Sequence, residues 1–177
     1  MVRSPILLLL VLLAGPAIAT EMKLESPDIR EGEPMHLRHV FNGFGCQGEN
    51  LSPQLQWQHL PAGTQSIAVT LYDPDAPTGS GWWHWLALDL PATLQGLPRG
   101  ADIGKLQGRL IRNDFGGTVY GGACPPTGHG MHRYQFTVWA LPVKKLDVGA
   151  DPSAAVVGYM LNHQALARKT LTATYHQ

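Results

Sequence analysis

Ser66-Ile67-Ala68-Val69-Thr70-Leu71-Tyr72, running straight into Asp73-Pro74-Asp75-Ala76-Pro77, is the stretch that decides the fold. Its β-branched residues alternate, which is the pattern of a strand, and the two prolines stop it. A second alternating run follows from His84 to Leu90, with His84, Leu86, Leu88 and Leu90 expected on one face. The short loop between them predicts an antiparallel hairpin. His132 to Leu141 reads as a third strong strand, His132, Tyr134, Phe136, Val138 and Ala140 on one side and Arg133, Gln135 and Thr137 on the other. Met35 to Val40 and Leu55 to Trp57 are weaker strand candidates. Only Ser153 to Ala167 has helical spacing, with Val156, Val157, Met160, Leu161 and Leu166 as its apolar positions. The sum is a mainly β, antiparallel fold with a helix near the C-terminus.

Composition narrows the class. The chain has 177 residues, enough for one domain with a real core, and Lys+Arg 13 balance Asp+Glu 13. That balance supplies no electrostatic reason to expect nucleic acid or an anionic membrane surface as partner. Gly 20 and Pro 14 favour a loop-rich β protein over a helical bundle. Met1 to Ala19 reads as a signal peptide: Arg3, then the apolar run Ile6 to Ala14, then the small-residue site Ala17-Ile18-Ala19. The mature chain is expected to start near Thr20, as a single domain over 20–177, in the periplasm or outside the cell. No cysteine stands near the cleavage point, which speaks against a lipoprotein anchor. Cys46 and Cys124 form an even pair, and in an exported chain that favours a disulfide over two buried thiols. They lack the paired spacing of a metal site.

The strand ends collect the chemistry. Asp73 and Asp75 follow the first strand, His84 opens the second, and His132 and Tyr134 open the third. An antiparallel arrangement brings all of them to one end of a sheet. Taken singly, each has a structural reading: Asp beside Pro caps turns, and a lone histidine is more often a satisfied core residue. Taken together they read as a small polar pocket. Trp82, Trp83 and Trp85 read as packing residues, at most one of them lining that pocket. His36, His39, His59, His129, His163 and His176 show no ligating spacing.

Three separated motifs, Asp73-Pro74-Asp75-Ala76-Pro77, Gly81-Trp82-Trp83-His84-Trp85 and Cys124-Pro125-Pro126-Thr127-Gly128-His129-Gly130-Met131-His132-Arg133-Tyr134, together resemble the phosphatidylethanolamine-binding protein family, also called Raf kinase inhibitor-like proteins. Cys46 to Pro53 and Asn113-Asp114-Phe115-Gly116 mark the bacterial branch. The resemblance implies a Greek-key antiparallel β-sandwich with a C-terminal helix. It also implies an anion pocket made by Asp73, Asp75, Pro77, His84, Cys124, His132 and Tyr134, with backbone around Cys124-Pro125-Pro126 as a wall. Cys124 stands where many eukaryotic members carry a small residue, which strengthens a tie to Cys46. The same resemblance marks Ala76-Pro77 as the position for a cis peptide.

In such a pocket imidazolium groups and a tyrosine hydroxyl donate hydrogen bonds to a phosphate or carboxylate, and the aspartates favour the charged imidazoles. The expected ligands are therefore small anions or phospholipid head groups, with no metal and no cofactor. A protein partner such as a protease or kinase, and a homodimer, follow by family analogy only. The rival function is a phosphoester hydrolase using His84 or His132 as general base. No G-x-S-x-G elbow supports a triad hydrolase. Asp114-Phe115-Gly116 lacks the companion loops of a kinase.

Overall fold

The computed structural model describes residues 21–177, so the signal-peptide expectation for Met1 to Ala19 lies outside the described residues. Ten strands and one α-helix follow in chain order: β1 (Lys23–Glu25), β2 (Asn42–Gly43), β3 (Cys46–Gln47), β4 (Leu55–Gln58), β5 (Ser66–Asp73), β6 (Trp82–Pro91), β7 (Gly96–Leu97), β8 (Arg109–Leu110), β9 (His132–Leu141), α1 (Ala154–Gln164) and β10 (Ala167–Tyr175). The large sheet has the order β10-β9-β5-β6-β8, a three-stranded sheet the order β1-β4-β7, and β2-β3 is a short hairpin. All strand pairs within these sheets are antiparallel.

One face of the large sheet packs on the small one. Ile67, Val69 and Leu71 of β5 and Tyr134, Phe136 and Val138 of β9 meet Leu24, Leu55, Trp57 and Leu97 in a sandwich core. The other face carries Ala68, Leu86, Leu88, Trp139 and Leu141 against Ala154, Val157 and Leu161 of α1. Ser153 caps that helix by accepting from the Val156 N–H.

Strands β5 and β9 follow the alternation read from the sequence, but β6 does not. Its pairing with β5 slips between Ile67 and Val69 and again between Leu71 and Tyr72. Each slip inserts one extra residue on β6, and a bulge of that kind reverses which face the next side chains take. Leu86 and Leu88 therefore point to the helix, while Leu90 joins Trp85 and Ala87 in the sandwich core. The expected single face of His84, Leu86, Leu88 and Leu90 is corrected accordingly. Asp89, at φ 59°, sits at the slip opposite Ile67 and Val69.

Three further expectations change. Met35 to Val40 is not a strand; Leu37–His39 forms a 3-10 turn. The helix stops at Gln164, and the chain continues as β10, which pairs along the whole of β9 from Ala167 opposite Ala140 to Tyr175 opposite His132. The helix is thus not the last element. Finally, the described residues contain no cis peptide, so Ala76–Pro77 is trans. The Thr78 N–H donates to the Ala76 carbonyl at 2.8 Å, a tight turn that trans Pro77 already permits.

Candidate functional site

β5 ends where β6 and β9 begin, so Asp73, His84 and His132 arrive at the same end of the large sheet. Asp73 pairs with Trp82 across the β5–β6 ladder. The bulge at the start of β6 then matters: it turns His84 onto the face of Asp73 and His132, where its ring meets Tyr134 edge-on at 5.3 Å. A regular strand would have sent His84 to the helix side.

The loops are locked by side-chain amides. Asn113 Nδ2 donates to the carbonyls of His84 and Val119, and its Oδ1 accepts from the N–H groups of Phe115 and Gly117. Asp114 accepts from the Trp83 N–H at 2.7 Å. The Asn113-Asp114-Phe115-Gly116 motif therefore clamps a loop onto β6. Asn50 does the same for the opposite wall, accepting from the Gly122 N–H at 2.7 Å and donating to the Tyr120 carbonyl. Gly122 passes so close to the 39–41 backbone that an added Cβ would stand 2.3 Å from the His39 carbonyl oxygen. The Cys46–Cys124 disulfide, with Cα atoms 6.0 Å apart, ties the β2–β3 hairpin to the same wall. Its tip residue Phe44 is held at φ 53° and is 74% exposed, with Phe41 and Phe115 against it.

These elements shape a half-open cavity of about 200 Å³ lined by Phe44, Asp73, Ala76, Pro77, Thr78, Trp82, His84, Phe115, Cys124, Pro125, Pro126 and His132. At its floor runs a hydrogen-bonded chain. Buried His132 donates from Nδ1 to Asp73 Oδ2 at 2.7 Å, and its Nε2 shares one proton with Nδ1 of His129, also at 2.7 Å. Asp73 Oδ1 accepts from the Asp75 N–H at 2.8 Å. His84 donates from Nδ1 to the carbonyls of Gly121 and Gly122 at 3.0 and 3.1 Å, and its Nε2 has no partner among the described residues.

Five of the seven residues read from the sequence line the cavity: Asp73, Pro77, His84, Cys124 and His132. Asp75 does not. Its carboxylate takes two hydrogen bonds from the Arg133 guanidinium and one from the Arg133 N–H, and that guanidinium holds it below the usual carboxylate range. Tyr134 lies one layer beneath, fully buried, its hydroxyl without a partner and kept protonated by burial. The expectation that aspartates favour a charged His84 is also corrected: burial outweighs the attraction of Asp73 and pushes His84 down to about 4. One tryptophan takes the place the sequence allowed on the pocket, and one histidine joins the site against expectation. Trp82 is the one tryptophan on the cavity, and its indole N–H is unpartnered. His129 was set aside for lack of spacing, yet it is the outer link of the Asp73–His132 chain. Its place three residues before His132, across Gly130, was the available signal. Among the described residues no group of three His, Cys, Asp or Glu side chains is placed to hold a metal ion.

The family model described as phosphatidylethanolamine-binding protein matches residues 25–176. Two Escherichia coli proteins are similar along most of the chain. YbcL is 49% identical over 166 residues, covering 90% of each chain, and YbhB is 50% identical over 158 residues, covering 87% of this chain and 99% of its own. The crystal structure of E. coli YbcL, described as a new member of the mammalian PEBP family, superposes with a TM-score of 0.85 over 89% of this chain and 99% of that one. This chain belongs to the phosphatidylethanolamine-binding protein family.

Proposed function

We propose that the chain is an exported binding protein that holds small oxyanionic head groups, phosphate esters foremost, in the cavity between Asp73, His84 and His132. The observation that carries this reading is the convergence of a buried Asp73–His132–His129 chain and a buried His84 on one small, half-open cavity. At about 200 Å³ it is below the roughly 300–1,000 Å³ of a drug-sized site, so a phosphate or phosphoethanolamine group fits and acyl chains stay outside. Export is part of the same reading. It rests on the Met1 to Ala19 pattern and on the Cys46–Cys124 bridge, a bond that persists in oxidising compartments. N-terminal sequencing of the mature protein should begin near Thr20.

Calorimetric titration with inorganic phosphate and with phosphoethanolamine tests the pocket. Saturable binding is expected, weakened roughly tenfold or more in His132→Ala, which removes the ring that holds the Asp73 carboxylate at the cavity. His163→Ala, on exposed α1 surface, should bind as the unaltered protein does. No saturable heat with either ligand would overturn the reading. A second reading, hydrolysis of a phosphoester, is favoured by one observation, the 2.7 Å Asp73–His132 pair, which has the form of an oriented general base. Turnover of p-nitrophenyl phosphate that disappears in His132→Ala would select it.

A further inference from the structure

The hydrogen-bonding atoms around the cavity are unevenly divided between donors and acceptors. His84 Nδ1 faces two carbonyl oxygens, which only accept, so the ring carries its hydrogen there and Nε2 is a bare acceptor. His84 is 3% exposed and that Nε2 meets no donor among the described residues. Asp73, 2% exposed, adds two carboxylate oxygens, each with only one of its lone-pair positions taken, by the Asp75 N–H and by His132. On the donor side stand the unpartnered Trp82 indole N–H and, beneath, the Tyr134 hydroxyl. His132 Nε2 is engaged by His129, and the nearby guanidinium of Arg133 is held by Asp75.

An oxyanion without a proton would turn lone pairs towards His84 Nε2 and Asp73, with no hydrogen between them, in a desolvated site. One that carries an O–H converts the same contact into a hydrogen bond, while its remaining oxygens accept from Trp82. Resting on the oxyanion reading above, we infer that the pocket selects oxyanions bearing a proton, namely hydrogen phosphate and the monoanions of phosphate monoesters, over sulfate and phosphate diesters, which have none. The alternative proton carrier is His84 itself, and burial opposes that by holding its ring neutral to about 4. The other groups facing His84 are Asp73 from β5 and His132 and Tyr134 from β9, with His129 behind His132. In the 115–122 loop Tyr120 donates its hydroxyl proton to the His39 carbonyl.

Titration of the full mature protein with inorganic phosphate, sulfate, methyl phosphate and dimethyl phosphate between pH 5.5 and 8 decides it. Phosphate and methyl phosphate are expected to bind at least about tenfold more tightly than sulfate and dimethyl phosphate, the loss expected when one buried acceptor is left unmatched. The affinity for methyl phosphate should fall as pH rises through its second ionisation, near 6 for a phosphate monoester, whereas inorganic phosphate, whose dianion still carries an O–H, should keep its affinity across this range. Methylphosphonate, whose second ionisation lies higher, should carry the midpoint upward with it. His84→Gln, which brings an amide donor to the same place, should narrow the phosphate-to-sulfate ratio. Sulfate binding within threefold of phosphate, or a midpoint that ignores the ligand, would overturn the inference while leaving an oxyanion site standing. Absence of binding by all four would remove the oxyanion reading as well.

Discussion

His84 shows how much one residue's surroundings decide. An ordinary imidazole titrates near 6.5, yet this one is pushed down to about 4 because burial outweighs the nearby carboxylate of Asp73. The unfolded chain therefore takes up a proton at His84 before the folded one does. Its contribution to stability is complete above about pH 6.5 and is lost as pH falls from there towards 4, some 3 kcal/mol in all. Burial lowers His39 as well, so its contribution has the same sign. Urea unfolding at pH 7.5 and 4.5 should show a fall in the unaltered protein and a shallower fall in His84→Gln. An equal fall in both would mean that His84 does not titrate as its burial requires. Nothing in the spacing of His84 reveals this, because the carbonyls of Gly121 and Gly122 and the rings of Tyr134 and Phe115 reach it from distant parts of the chain.

Among the elements, β6 and the β2–β3 hairpin do most to shape the site. A strand regular at its start would place His84 with Leu86 and Leu88 under the helix; the single-residue insertion between Trp83 and Trp85 places it over the cavity instead. The hairpin has only two residues per strand and little surface of its own, so the Cys46–Cys124 bridge is what fixes Phe44 against the cavity. The bridge spans a sequence separation of 78 residues, which the chain-entropy model converts to about 4–5 kcal/mol of stabilisation. Cys46→Ala/Cys124→Ala should therefore unfold at markedly lower denaturant. Maleimide labelling of the unaltered protein, unfolded without reductant, should find no thiol; two labelled thiols would contradict the bridge.

Across the whole molecule the two sides of the large sheet do different work. One side closes the sandwich and carries the cavity at its end, and the other seats α1 through Val157 and Leu161. Leu161 is fully buried, so Leu161→Ala should cost about 2–5 kcal/mol from lost contacts and the cavity left behind. Because it lies across the sheet from Asp73 and His132, phosphate affinity of the folded variant should stay within about twofold of the unaltered protein, as expected for distant, independent sites. Scanning calorimetry and titration of the same sample separate the two effects. A parallel loss of affinity would mean that the helix side and the pocket are coupled through β5 and β9.

The sequence by itself determined the strands with unbroken alternation, β5 and β9, because a period of two over seven or more residues has no competing interpretation. It also determined which residue types would gather at the strand ends, since antiparallel order and two prolines after Asp73 leave few places for them. Local periodicity could not reveal β6's faces, where two bulges reverse it, or β10, whose Thr170, Thr172 and Thr174 alternate weakly and become a strand by pairing with β9. The site divides in the same way. Asp73, His84 and His132 were legible as a group, whereas the withdrawal of Asp75 into its pair with Arg133, the link from His129 to His132 and the neutrality of His84 were not. Those depend on which groups are desolvated together and on which donors reach which acceptors, and only tertiary packing decides that.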